Sequence, residues 1–207
     1  MNQRTEQARR LPRPFFRRQP VTVARALLGK RLLSQADGVR TVGTIVEVEA
    51  YLGVSDKAAH TYGGRCTARN ETMWGDGGYA YVYFVYGMHH CVNVVAGTTG
   101  DPVAVLIRAL EPCEGLPAMA VRRPNASHPT DLCSGPAKLT AALGIDRSMD
   151  GADLVKGTLL YLEATSTRAL PSRRIGVGPR VGIGYAEDWV SRPLRFWVRG
   201  NPHVSRV

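Results

Sequence analysis

At 207 residues with 44% hydrophobic content, the chain has the material for a single core in one domain. No run approaches the ~18 consecutive apolar residues of a membrane span, so a soluble protein with no membrane partner is expected. Lys and Arg number 27 against 17 Asp and Glu, a net charge of +10, which calls for an acidic partner such as nucleic acid.

Residues 1–20 carry Arg4, Arg9, Arg10, Arg13, Arg17 and Arg18 against Glu6 alone, with Pro12, Pro14 and Pro20 among them. This composition predicts a flexible basic N-terminal arm, leaving residues 21–207 as the folded domain. An organellar transit peptide fits less well, because the arm lacks Ser and contains Glu6; a cytoplasmic, nucleoid-associated protein is expected. Cys66, Cys91, Cys113 and Cys133 form no CxxC pair, which points to reduced thiols and away from a zinc site.

Residues 21–28 read as a short helix closed by Gly29, with Ala24, Leu27 and Leu28 at helical spacing. A strand over 30–33 then turns through Asp37-Gly38 into Gly43-Thr-Ile-Val-Glu-Val-Glu-Ala-Tyr-Leu-Gly53. In that strand Val46, Val48, Ala50 and Leu52 alternate with Glu47, Glu49 and Tyr51, so two carboxylates and a phenol share one face. Ionised carboxylates on an apolar strand must be solvated, paired or functional; a solvated sheet face is the plain alternative.

Residues 53–78 are glycine-rich and polar, a long irregular loop of the kind that carries function. From Tyr79 to Val95 two strands reverse at Tyr86-Gly87-Met88. If paired residue numbers sum to 174, Tyr83 faces Cys91, Tyr81 faces Asn93, and Tyr86 sits at the tip. A further strand over 102–110 contains Arg108 after an apolar run. Residues 117–130 read as a polar connection. Leu132 to Gly144 reads as a helix capped by Ser134 or Gly135, with Pro136 in its first turn and Lys138 beside a helix end suited to phosphate. Beyond Leu159 three or four short strands are expected, and the glycine pairs at 176–178 and 182–184 lack a nucleotide-loop context.

Seven stretches in order carry a resemblance: Glu49-Ala-Tyr-Leu-Gly53, Ala58-Ala-His60, Gly63-Gly-Arg65, Tyr81-Val-Tyr-Phe-Val-Tyr-Gly-Met88, Arg108-Ala-Leu-Glu-Pro112, Leu132-Cys-Ser-Gly-Pro136 and Pro193-Leu-Arg-Phe196. Together they resemble the alkyladenine (3-methyladenine) DNA glycosylase family over most of the chain. The resemblance implies one α+β domain with a curved, mostly antiparallel sheet and few helices, like the domain attached to formyltransferases. It implies a monofunctional, monomeric enzyme, without metal or other cofactor, that flips damaged purines from double-stranded DNA and hydrolyses the N-glycosidic bond to begin base excision repair. Glu49 is then the general base, and Arg108 holds Glu49, the water and a backbone phosphate together. Tyr51, Tyr83 and His60 form a base slot with Ala58 in its wall, and Asn93 rejects the amino group of guanine. Tyr86 and Met88 wedge into DNA, Arg65 and Lys138 take phosphates, and a backbone carbonyl within 180–184 binds the water. Lys57 departs from the expected motif, either tuning lesion preference or offering an amine nucleophile for lyase chemistry. A non-catalytic nucleic-acid-binding domain is the competing reading; a zinc deaminase is disfavoured because its HxE and PCxxC signatures are missing.

Overall fold

The computed structural model describes residues 9–164 and 169–205. Its strands are β1 (Arg9–Arg10), β2 (Arg31–Ser34), β3 (Thr41–Tyr51), β4 (Ala80–Val85), β5 (His89–Ala96), β6 (Val103–Glu114), β7 (Leu160–Ala164), β8 (Ile175–Gly178) and β9 (Arg195–Val198). The helices are α1 (Arg13–Phe16), α2 (Pro20–Leu27), α3 (Leu116–Arg122) and α4 (Pro136–Leu143), with short 3₁₀ turns between elements. The strands form one curled antiparallel sheet in the order β1-β7-β2-β3-β6-β5-β4, with β9 joining β3 and β8. This is the expected α+β architecture.

β3 organises the sheet. β6 runs along one of its edges, while β2 covers the first half of the other edge and β9 pairs with Glu47 to Glu49 in the second half. Three irregularities interrupt the β3–β6 register: one skips Cys113, and two that compensate each other leave Val46 and Arg108 out of the Cα pairing. Such bulges commonly re-aim a side chain. Val48 and Ala50 of β3 join Val23, Ala24 and Leu27 of α2 and Leu139, Ala142 and Leu143 of α4 in the main apolar core. The opposite face of β3, carrying Glu47, Glu49 and Tyr51, is roofed by the chain between Arg180 and Ser205.

The β4–β5 hairpin has the expected register, with Tyr83 opposite Cys91 and Tyr81 opposite Asn93. Tyr86 sits at its tip with φ of 53°, and the next residue, Gly87, is also left-handed at 67°. A tight reversal of this kind needs positive φ at both central positions, a cost small at Gly87 and borne by Tyr86. α2 begins at Pro20 and Gly29 adopts φ of 79°, the left-handed turn that ends a helix cheaply.

Two sequence expectations change. Residues 117–130 are not merely a connection, because α3 occupies Leu116–Arg122; Pro117 lies in the first turn, where its missing N–H costs nothing, and Met119 is buried. The basic segment from Arg9 to Gln19 is packed against the domain. Leu11 and Phe16 enter the core, Leu11 donates its N–H to Leu162 O at 3.1 Å, and Arg13 and Arg17 pair with Asp153 and Asp76. The rest of the expected arm, residues 1–8, lies outside the described residues.

Candidate active site

The strand register sets the site. Glu49 of β3 is opposite Leu106 of β6, Leu106 is opposite Asn93 of β5, and Asn93 is opposite Tyr81 of β4. One transverse row thus runs across four strands. Leu106, Asn93 and Tyr81 line a cavity of about 380 Å³, within the size range of small-molecule sites. Tyr51, Ala58, His60, Tyr83, Tyr86, Arg108, Val181 and Tyr185 also line it.

Glu49 lies immediately behind this wall. Its side chain is fully buried, and three cavity-lining groups hold it: the Tyr51 hydroxyl donates to Oε2 at 3.0 Å, the Val181 N–H donates to Oε1 at 2.7 Å, and Arg108 Nη1 stands 3.3 Å from Oε1. Burial raises the Glu49 carboxyl above its ordinary range, against the opposing pull of Arg108, the Val181 N–H and the Tyr51 hydroxyl. The Tyr51 hydroxyl is pushed well above the usual phenol range by burial and by the Glu49 charge. A carboxyl whose pKa is raised by burial is a stronger base than one in water.

Glu47, its neighbour on the same strand face, is saturated instead. It accepts from Arg108 Nε at 3.0 Å, from the Ser205 N–H at 2.7 Å and from Ser205 Oγ at 2.9 Å, and Arg195 Nε lies 2.8 Å away. The bland role for a strand carboxylate, structural partner to Arg108, therefore belongs chiefly to Glu47. Arg108 bridges the two carboxylates from its bulge.

His60 and Tyr83 meet edge to face with ring centroids 4.6 Å apart, and Tyr81 stacks beside Tyr83 at 5.3 Å. Tyr81 also fixes His60 through a 2.8 Å contact between its hydroxyl and Nδ1. Burial and the nearby Arg69 lower the His60 pKa, favouring the neutral ring. Burial pushes the Tyr81 hydroxyl up to about 12 and raises that of Tyr83 further, keeping both phenols protonated. Asn93 donates from Nδ2 to Tyr81 O at 3.2 Å, leaving its carbonyl oxygen for a cavity occupant.

Around the mouth, Tyr86 is 84% and Met88 71% exposed, an unusual display of apolar surface at one hairpin tip. Pro136 and Ala137, at the start of α4, border the cavity, with Lys138 next in sequence and half-buried. Arg65 lines an adjoining cavity of about 460 Å³ instead, with Lys57 and Arg69. Lys57 is bound to Glu187 and lies 3.7 Å from Asp188; its ammonium pKa is raised, chiefly by the Glu187 hydrogen bond, the opposite of what an amine nucleophile needs. The Arg180 to Gly184 stretch touches Glu49 through the Val181 N–H.

Sequence reasoning passed over Tyr81, Arg69, Arg180 and Asp56. Tyr81 could have been found from the hairpin register, which puts it on the face of Tyr83 and Asn93. Arg180 and Asp56 form a bidentate pair of 2.6 and 2.8 Å across 124 positions, and no local pattern announces such a contact.

Comparison with known proteins is consistent along the chain. The sequence model of methylpurine-DNA glycosylase matches residues 14–202. A Bacillus cereus protein provisionally named 3-methyladenine DNA glycosylase is 45% identical over 201 residues, covering 94% of this chain and 98% of its own. A Bacillus cytotoxicus protein of the same provisional name is 46% identical over 202 residues, with the same coverage.

Proposed function

The chain belongs to the methylpurine-DNA glycosylase family, and from that premise we propose that it flips a damaged purine out of duplex DNA into the Tyr51–His60–Tyr83 cavity and releases it with water activated by Glu49. It is a hydrolase of N-glycosyl bonds acting on DNA. The observation that carries the mechanism is the buried Glu49 carboxylate, bonded to three groups of the cavity wall.

In the proposed step the water oxygen attacks C1′ of the extruded nucleotide, its proton passes to Glu49, and the electrons of the glycosidic bond leave with the purine. An N-methylated purine departs as a neutral base from a cationic one, so one carboxylate suffices. A neutral lesion such as hypoxanthine also needs a proton on its ring, and the buried phenols and His60 are poor acids for that step, so cationic lesions should be released faster. Arg108 stabilises the deprotonated Glu49 at 3.3 Å and, from the cavity wall, faces the negative backbone of a bound strand. The aromatic walls supply sequence-tolerant stacking, worth about 1–3 kcal/mol per base.

Asn93 excludes the exocyclic amino group of guanine. Tyr86 and Met88 fill the gap left by the flipped nucleotide, since unstacking costs a few kcal/mol that some side chain must offset. Arg65 and Lys138 take phosphates flanking the lesion, and the protein acts as a monomer. The surplus of positive charge makes binding strongly salt-dependent.

The test is base release from duplex oligonucleotides carrying hypoxanthine or ethenoadenine, and from methylated DNA carrying 3-methyladenine, with borohydride present in a parallel arm. Free base and an abasic site without a trapped covalent adduct support the reading. Tight binding without release would favour a pure DNA-binding domain, and a trapped adduct would favour a lyase.

A further inference from the structure

Two fully buried side chains that the hydrolytic step does not use, Arg180 and Asp56, form a bidentate ion pair directly beneath the site. A buried pair is a poor source of stability, because desolvating both ions offsets most of their attraction. Arg180 Nε is moreover left without a hydrogen-bond partner among the described residues, a cost that native proteins seldom carry without a reason. The reason is visible in what the two groups tie together.

Arg180 precedes Val181, whose N–H donates to Glu49 Oε1 at 2.7 Å. Its Nη1 donates to the carbonyl of Ala50 at 3.0 Å, the residue between Glu49 and Tyr51. Its guanidinium carbon lies 4.6 Å from the centroid of the Tyr51 ring, whose hydroxyl holds the other Glu49 oxygen. Asp56 completes the frame by accepting from the Leu52 N–H at 2.9 Å and the Ala58 N–H at 3.0 Å, which fixes the loop leading into the cavity wall at Ala58 and His60. One planar fork therefore references both donors to Glu49, and the floor of the base slot, to the same rigid pair.

We infer that Arg180 and Asp56 are positioning residues for base excision: their pair sets the Val181 N–H and the Tyr51 ring against Glu49, and so fixes both the basicity of that carboxylate and the direction in which it meets the water. The inference rests on Glu49 acting as the base. Neither residue touches DNA in this assignment, so binding of damaged duplex should survive where turnover does not.

The experiment compares wild type, Arg180→Lys, Asp56→Asn and Glu49→Gln in single-turnover base release across pH, with duplex affinity and thermal melting measured alongside. Arg180→Lys keeps the charge and loses the fork; Asp56→Asn loses the charge and retains an acceptor for one of the two loop N–H groups. The expected result is a fall of about 10- to 100-fold in the excision rate, affinity within a few-fold of wild type, and an acidic limb moved to higher pH as the Val181 donor slips from Glu49. Wild-type rates and an unshifted limb in both variants would overturn the inference while a dead Glu49→Gln left the base assignment standing; a fully active Glu49→Gln would remove both. Should either variant fail to fold, the wild-type Val181 amide resonance decides: it should titrate with the acidic limb of excision, and an amide insensitive to pH across that limb would refute the linkage.

Discussion

The Tyr51 hydroxyl donates to Glu49 Oε2 at 3.0 Å while its ring walls the cavity, so in the proposed mechanism one side chain both holds the base and meets the purine. Tyr51→Phe keeps the ring and removes the donor. That hydrogen bond lowers the Glu49 pKa against the upward push of burial, so its loss must raise the pKa further. A general base works only when deprotonated, so the acidic limb of the excision profile should move to higher pH in Tyr51→Phe, with activity regained on the alkaline side. The pH–rate profiles of the two proteins on one substrate check it, and coincident acidic limbs would contradict it.

Arg108 pairs with two buried carboxylates at once, at 3.0 Å from Glu47 and 3.3 Å from Glu49. Arg108→Met preserves much of the length and leaves both carboxylates without that guanidinium; Glu47 keeps Ser205 and Arg195, but Glu49 keeps only neutral donors. Removing one member of a buried ion cluster typically costs about 3–5 kcal/mol. Urea unfolding near neutral pH should show a loss of that size, shrinking as the pH is lowered and Glu49 takes a proton.

Tyr86 and Met88 are too exposed to contribute much to folding. Tyr86→Ala and Met88→Ala should melt like wild type yet bind lesion-containing duplex less tightly, by up to about 1–3 kcal/mol for the aromatic residue, or roughly 5- to 150-fold. The loss should be far smaller on single-stranded DNA, where no gap needs filling. Equal losses on both substrates would argue against a wedge.

The Asn93 amide is committed on one side, with Nδ2 bonded to Tyr81 O. Asn93→Ser removes bulk from the slot at little cost to its frame, and excision of guanine from mispairs should rise relative to excision of hypoxanthine. Unchanged selectivity would move discrimination elsewhere in the cavity.

The residues that were legible in the sequence are those governed by local periodicity. Alternation in two strongly apolar strands around one tight turn gave the β4–β5 register, and with it the meeting of Tyr83, Cys91 and Asn93. Alternation in β3 put Glu47, Glu49 and Tyr51 on one face, but could not tell which carboxylate is saturated, because Ser205 and Arg195 reach Glu47 from about 150 residues away. α3 was hidden by Pro117, which is harmless in a first helical turn. The docking of residues 9–19 depends on Leu11 and Phe16, two apolar residues amid arginines whose burial appears only once the Leu162 and Gly97 backbones are in place. Arg180 and Asp56 meet through loop closure alone, and loop closure leaves no periodic trace.

The most direct measurement of the account is single-turnover base release by Glu49→Gln, an isosteric change that keeps hydrogen-bonding capacity and removes the ability to accept a proton. The account predicts near wild-type affinity for lesion-containing duplex with excision slowed by about 10²–10⁴-fold and the acidic limb of the pH profile abolished. Release at the wild-type rate, with the limb intact, would contradict it.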